Sequence, residues 1–205
     1  MDNSLTEIVY SKNIVEFVTV ANEYCTFVEN IAELDKENMI NKSVKLLSLL
    51  YLKATMLPET ERINDEQNEK FVTEFDWQFV KNGVEALLAD DDKYLDFYDN
   101  EMNETAEPVS SGISENMADI YQDLKDFLGI YQLGNEELSN DAIYECYSNF
   151  RDYWGFRLVN SLRIFHYLIY KKNNDEQPVK PKGKVTRDTS KWFISKAQQD
   201  SKSDG

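Results

Sequence analysis

Asp119, Asp123 and Asp126 are the residues whose type and spacing come nearest to chemistry. On a helix over residues 114–133 the three carboxylates fall within about 40° of one line. Stacked carboxylates at i, i+4 and i+7 are what a magnesium site on a helical bundle would use, because the ion takes hard oxygen ligands. The competing role is a charged face answered by cations on neighbouring helices. Arg151, Arg157 and Arg163 supply such cations. Their six-residue spacing points them about 120° apart around a helix. That excludes a basic stripe along a phosphate backbone and suits ion pairs with several acidic neighbours. Arginine tolerates partial burial in such pairs. Arg157 or Arg163 is the expected partner of Asp119 or Asp123, with Trp154 beside them.

Other candidates are weaker. His166 follows Arg163 by three residues and shares its side, so the two would make an anion pocket if a function lay there. No Ser or Cys forms a nucleophile motif with it. Glu101-Met102-Asn103-Glu104 has the carboxylate spacing that all-α nucleotide pyrophosphatases use on paired helices. Here it falls in a stretch read as loop and lacks a spaced partner. The run Asp90-Asp91-Asp92 fails as a calcium loop, because the sixth residue is Leu95 where an EF-hand needs Gly. One His and two separated cysteines, Cys25 and Cys146, are too few for a Cys/His zinc site. No cofactor and no metal ligand set is expected.

The elements that must position these residues read as helices. Ile14, Phe17, Ala21, Tyr24, Val28 and Ile31 repeat at three-four spacing, with Lys12, Glu16, Thr19, Glu23, Thr26 and Asn30 opposite. This predicts a half-buried first helix over 5–34, capped by Asn3 or Ser4. A second helix over 38–56 carries Val44, Leu46, Leu47, Leu49, Leu50, Tyr51 and Leu52 on all sides, which places it mid-bundle. Pro58 stops it, and 59–70 reads as loop. Thr73 caps a third helix to about Ala89, with Trp77, Val80, Val84 and Leu87 inward. A short helix at 92–99 is expected within an acidic stretch. Ser114 caps the fourth helix, and Gly134-Asn135 makes a tight corner into a fifth. The fifth helix, rich in aromatics, runs to Tyr170 with Gly155 as its weak point and should be central to the fold.

Composition agrees with a bundle. The chain has 205 residues, 41% of them apolar, which is enough for a core. Seven Gly and four Pro are too few for a turn-dense β fold. The expectation is all-α: an antiparallel bundle of five or six helices over 1–170 and a flexible basic tail over 171–205. The body holds 33 acids and 13 bases, the tail five and nine. A body of net −20 repels phosphate, so nucleic-acid binding by it is not expected. The densest apolar stretch, Leu46–Leu52 with Ser48 inside it, falls far short of the roughly 20 residues of a membrane span. The opening Met1-Asp2-Asn3-Ser4 resembles no secretory leader, so a cytoplasmic, membrane-free protein is expected. In the tail, Trp192, Phe193 and Ile194 stand alone among polar residues as a contact element.

Several strings are specific enough to suggest kinship. They are Val9-Tyr10-Ser11-Lys12-Asn13 with Glu16-Phe17-Val18-Thr19-Val20-Ala21, the run 114–127, Tyr131-Gln132-Leu133-Gly134-Asn135-Glu136-Glu137, and 153–166. Over roughly 8–170 the chain resembles a family of acidic, all-α bacterial proteins of similar length, designated only as a domain of unknown function. The resemblance implies a helical cytoplasmic protein and carries over no catalytic residues. The first functional expectation is a non-enzymatic protein-binding or regulatory module with an unidentified protein partner. The second is a magnesium-dependent hydrolase of nucleotides or phosphoesters, and the third an acidic DNA mimic.

Overall fold

The computed structural model describes residues 3–96 and 109–171. Helix α1 (Asn3–Val9) leads to α2 (Lys12–Glu29), a 3-10 turn (Ile31–Glu33) and α3 (Lys36–Ala54). An extended segment precedes α4 (Glu74–Leu88). Strands β1 (Lys93–Asp96) and β2 (Val109–Gly112) follow, then α5 (Ile113–Tyr131), α6 (Glu136–Asn149) and α7 (Gly155–Lys171). One π-helical turn, Phe150–Trp154, joins α6 to α7 in a continuous rod. The result is an all-α antiparallel bundle. It has six rods among the described residues, counting α6–α7 as one. No helix among the described residues is long and apolar enough to cross a membrane.

The amphipathic stripes do the positioning. Ile14, Phe17, Ala21, Tyr24 and Val28 of α2 are buried together with Met117, Leu124 and Phe127 of α5. The first helix is not continuous, however. It breaks at Ser11, whose backbone is extended, and again at Asn30. The break leaves the Val9 carbonyl at the end of α1 to accept a hydrogen bond from Tyr131 Oη, at 3.1 Å. The Asn30 side chain turns back to donate to the Thr26 carbonyl.

Two placements differ from expectation. Helix α3 is a boundary element. Leu46, Leu47 and Leu50 are buried, while Leu49, Tyr51 and Leu52 are exposed. The central helix is α5, which packs against α2, α4, α6 and α7. Its apolar positions at 113, 117, 118, 120, 121, 124, 127 and 128 spread over about half its circumference and so meet neighbours on several sides. The aromatic-rich rod buries Phe150, Trp154 and Phe165 but leaves Tyr144, Tyr153 and Tyr170 at the surface. Aromatic content marked a long helix, not the middle one.

The corners follow local chemistry. Thr73 and Asp76 form the reciprocal cap of α4. Gly134 takes a φ of +70°, and the Asn135 side chain accepts from Leu138 N at 3.0 Å. Of the segment expected to be helical at 92–99, Asp92 ends a 3-10 turn (Ala89–Asp92) and residues 93–96 are strand. Lys93 to Asp96 pair antiparallel with Val109 to Gly112, Lys93 opposite Gly112. Tyr94 is buried and Leu95 exposed, the alternation of a strand. Ala89, at φ +52°, turns the chain into it.

Candidate functional site

The aspartate line of α5 is divided among four neighbours. Asp119 Oδ2 accepts from Arg157 Nε of α7 at 2.6 Å, and its Oδ1 accepts from Trp77 Nε1 of α4 at 2.9 Å. The Arg157 guanidinium lies 3.7 Å from the centroid of the Tyr153 ring. Burial, with the charge of Asp119, pushes the Tyr153 hydroxyl up to about 12. One helical turn on, Asp123 Oδ1 accepts from Asn149 Nδ2 of α6 at 2.5 Å. Burial pushes the Asp123 carboxyl up to about 6, against the pull of Asn149 and Lys70. Asp126 is buried, and its Oδ1 accepts from the backbone N–H groups of Phe71 and Val72 at 2.7 and 2.9 Å. Three carboxylates on one line thus serve four elements: α4, α7, α6 and the segment at 71–72. Among the described residues no group of three His, Cys, Asp or Glu side chains is placed to hold a metal ion.

The remaining predicted residues scatter. Arg163 is exposed and joins no ion pair among the described residues. His166 is exposed, its ring 4.6 Å from that of Tyr170. Trp154 is fully buried and donates Nε1–H to the Cys146 carbonyl at 3.1 Å. Cys25 and Cys146 are buried free thiols, and burial pushes the Cys25 thiol up to about 12. Glu101, Glu104 and the tail residues Trp192, Phe193 and Ile194 lie outside the described residues.

A larger arrangement escaped the sequence reading. The segment between α3 and α4 has no regular structure beyond residue 57, so its N–H groups need partners from elsewhere. Acids of α5 and α6 supply them. Asp141, 1% exposed, accepts from Ile63 N at 2.7 Å and from Asn64 N and Nδ2 at 2.9 and 2.8 Å. Burial pushes its carboxyl up, but the Ile63 and Asn64 donors outweigh this and hold it below the usual range. Asn140 Nδ2 donates to the Glu61 carbonyl at 2.7 Å. Glu145 accepts from Asn68 Nδ2 and from Lys70 Nζ at 2.7 and 2.6 Å. With Asp126 at Phe71 and Val72, these bonds fasten the segment along α5 and α6 at three places. Asp92 acts similarly at the start of α5. It is buried and accepts from Ser114 N and Oγ at 2.7 and 3.0 Å. Ser114 is therefore held by a remote carboxylate rather than being the cap. The visible signal was an acid pair, Asp141 and Glu145, one turn apart on a helix beside a long polar loop.

Three concavities among the described residues bear on function. A crevice beside Asp123, walled by Lys70, Asp126, Glu145 and Asn149, has room for about 10 Å³, the size of one water. A groove of about 350 Å³ runs between the 3-10 turn and α4, lined by Ile31, Ala32, Phe75, Phe79 and Gly83. Phe75 is 79% and Phe79 54% exposed on its edge. A cleft of about 480 Å³ lies between residues 64–69 and Ile130, Leu133 and Leu138.

Comparison with known proteins places the chain. No match is found among the curated proteins. The crystal structure of protein BF1032 from Bacteroides fragilis, a structural genomics target, superposes with a TM-score of 0.70 at 38% identity. The match covers 87% of this chain and 99% of that one. The pattern of a family described as "Domain of unknown function (DUF5063)" matches residues 8–171, nearly the whole helical body, and the chain belongs to that family.

Proposed function

We propose that the chain is a non-enzymatic protein-binding or regulatory module that engages a protein partner through the Phe75–Phe79 groove. The observation that carries this reading is the pair of aromatic side chains on one face of α4, exposed above an apolar hollow. Burying one such ring gains about 1.5–3 kcal/mol, and the described residues leave most of Phe75 and about half of Phe79 open to solvent. The magnesium-hydrolase reading requires Asp119, Asp123 and Asp126 to turn toward a shared ion. Their engagement by Arg157, Asn149 and the 71–72 backbone argues for structural duty instead. The test is isolation of complexes from the native cell with the full chain and with Phe75→Asp/Phe79→Asp. Both positions are exposed, so the variant should melt like wild type. A partner held by wild type and lost by the variant is expected, and an unchanged set of partners refutes the reading.

A further inference from the structure

We propose that the cleft between residues 64–69 and the α5–α6 corner is a second docking site, and that its occupant is a basic peptide segment bearing a bulky apolar side chain. This goes beyond the Phe75–Phe79 groove and does not depend on it. The floor of the cleft is Ile130, Leu133 and Leu138, with Leu133 59% exposed. Its wall carries Asp65, Glu66 and Glu69, all exposed and joined to no cation among the described residues.

The reason these acids meet no cation among the described residues is geometric. The two nearby cations face inward. Arg62 Nη2 donates to the Glu66 carbonyl and lies 3.9 Å from Glu145, while Lys70 pairs with Glu145. The inner acids Asp126, Asp141 and Glu145 are already engaged in holding the segment. The outer three are presented on a wall fastened at Asp141 on one side and at Glu145 and Asp126 on the other. A fixed wall lowers the ordering cost of binding.

Charge selects the occupant. An apolar floor under a carboxylate wall matches Lys or Arg, whose aliphatic stems lie on leucine while the charged heads reach the acids. A nucleic acid is repelled. A second copy brings the same acidic body, 33 acids against 13 bases over residues 1–170.

The test titrates the full chain with the peptide acetyl-Lys-Leu-Lys-Arg-Leu-Lys-amide, read by backbone NMR and by fluorescence of a labelled copy. Saturable binding is expected, with shifts confined to residues 64–69 and 130–138 and affinity falling as salt rises. Asp65→Asn/Glu66→Gln/Glu69→Gln should weaken it about tenfold, and Leu133→Ser/Leu138→Ser at least about fivefold. Phe75→Asp/Phe79→Asp should leave it unchanged, so this proposal and the α4 reading fail separately. Shifts spread over the whole acidic surface overturn the proposal. So does equal binding of a peptide with Ala for each Leu, or no effect of either cleft variant. Sedimentation of the chain alone as a dimer that Leu133→Ser/Leu138→Ser dissociates overturns it in favour of a second copy.

Discussion

Replacing Arg157 by Ala should destabilise the protein, and replacing Arg163 by Ala should not. Arg157 gives Asp119 a hydrogen bond of 2.6 Å and lies 3.7 Å from the Tyr153 ring centroid. A charge-assisted hydrogen bond contributes about 1.5–3 kcal/mol, and a cation over an exposed ring about 0.5–1 kcal/mol. The arginine side chain is 32% exposed against 14% for Asp119, so solvent screening draws the sum toward its lower end. The expected loss is about 2 kcal/mol, a fall in Tm of roughly 4–8 °C for a body of this size. Asp119 keeps the Trp77 indole, which limits the cost of its stranded charge. Arg163, exposed and outside every ion pair among the described residues, should change stability by less than about 0.5 kcal/mol. Urea unfolding of wild type, Arg157→Ala, Asp119→Ala and the double variant gives the coupling directly, expected at about 1–2 kcal/mol. A coupling near zero, or an equal loss in Arg163→Ala, would refute the assignment.

Two further outcomes follow from the buried acids. The carboxyl of Asp123 is raised by burial to about 6, so between its unfolded value of 3.8 and 6 the folded state binds more protons. Its contribution therefore lowers stability as pH rises through that window, by at most about 3 kcal/mol. Asp123→Asn should remove that slope in denaturation midpoints measured from pH 4 to 7.5, and parallel curves for the two proteins would count against it. Asp141→Ala strands the N–H groups of Ile63 and Asn64 and should cost about 2–4 kcal/mol. Hydrogen exchange at those two amides should accelerate well beyond that at Phe71 and Val72, and uniform acceleration would deny local fastening.

The sequence showed its local chemistry and hid its long-range chemistry. The α2 stripe, the Thr73 cap and the Gly134–Asn135 corner each act within a few residues, so spacing alone revealed them. The ribbon at 93–96 was misread because a four-residue stretch satisfies helical and strand periods alike. Asp141 and Asp92 were invisible as anchors because their donors lie far along the chain, 78 residues away at Ile63 and 22 at Ser114. The Asp119, Asp123 and Asp126 line was legible as a line. What each carboxylate faces depends on α4, α6, α7 and the 71–72 backbone, which helical spacing does not contain. The equal treatment of Arg157 and Arg163 failed for the same reason: direction around α7 was known, but not which neighbours stood there.

The π turn bears on how this chain tolerates changes in length. Cys146, Phe150, Trp154 and Leu158 are all buried, yet they follow one another in three successive steps of four. On a regular α-helix such steps drift by about 120° in total, enough to carry Leu158 off the buried side. The turn at Phe150–Trp154 absorbs one residue and cancels most of that drift, leaving about 20°. It thus behaves as a one-residue insertion sealed inside a rod. The neighbouring Gly155 is its requirement, since a Cβ there would collide with the Phe150 carbonyl oxygen. Deleting one exposed residue, Arg151 or Asp152, would return the steps to the ordinary alternation of three and four. Everything downstream would keep its facing. Relatives shorter by one residue at this point can therefore share the fold unchanged, with any small residue in place of the glycine.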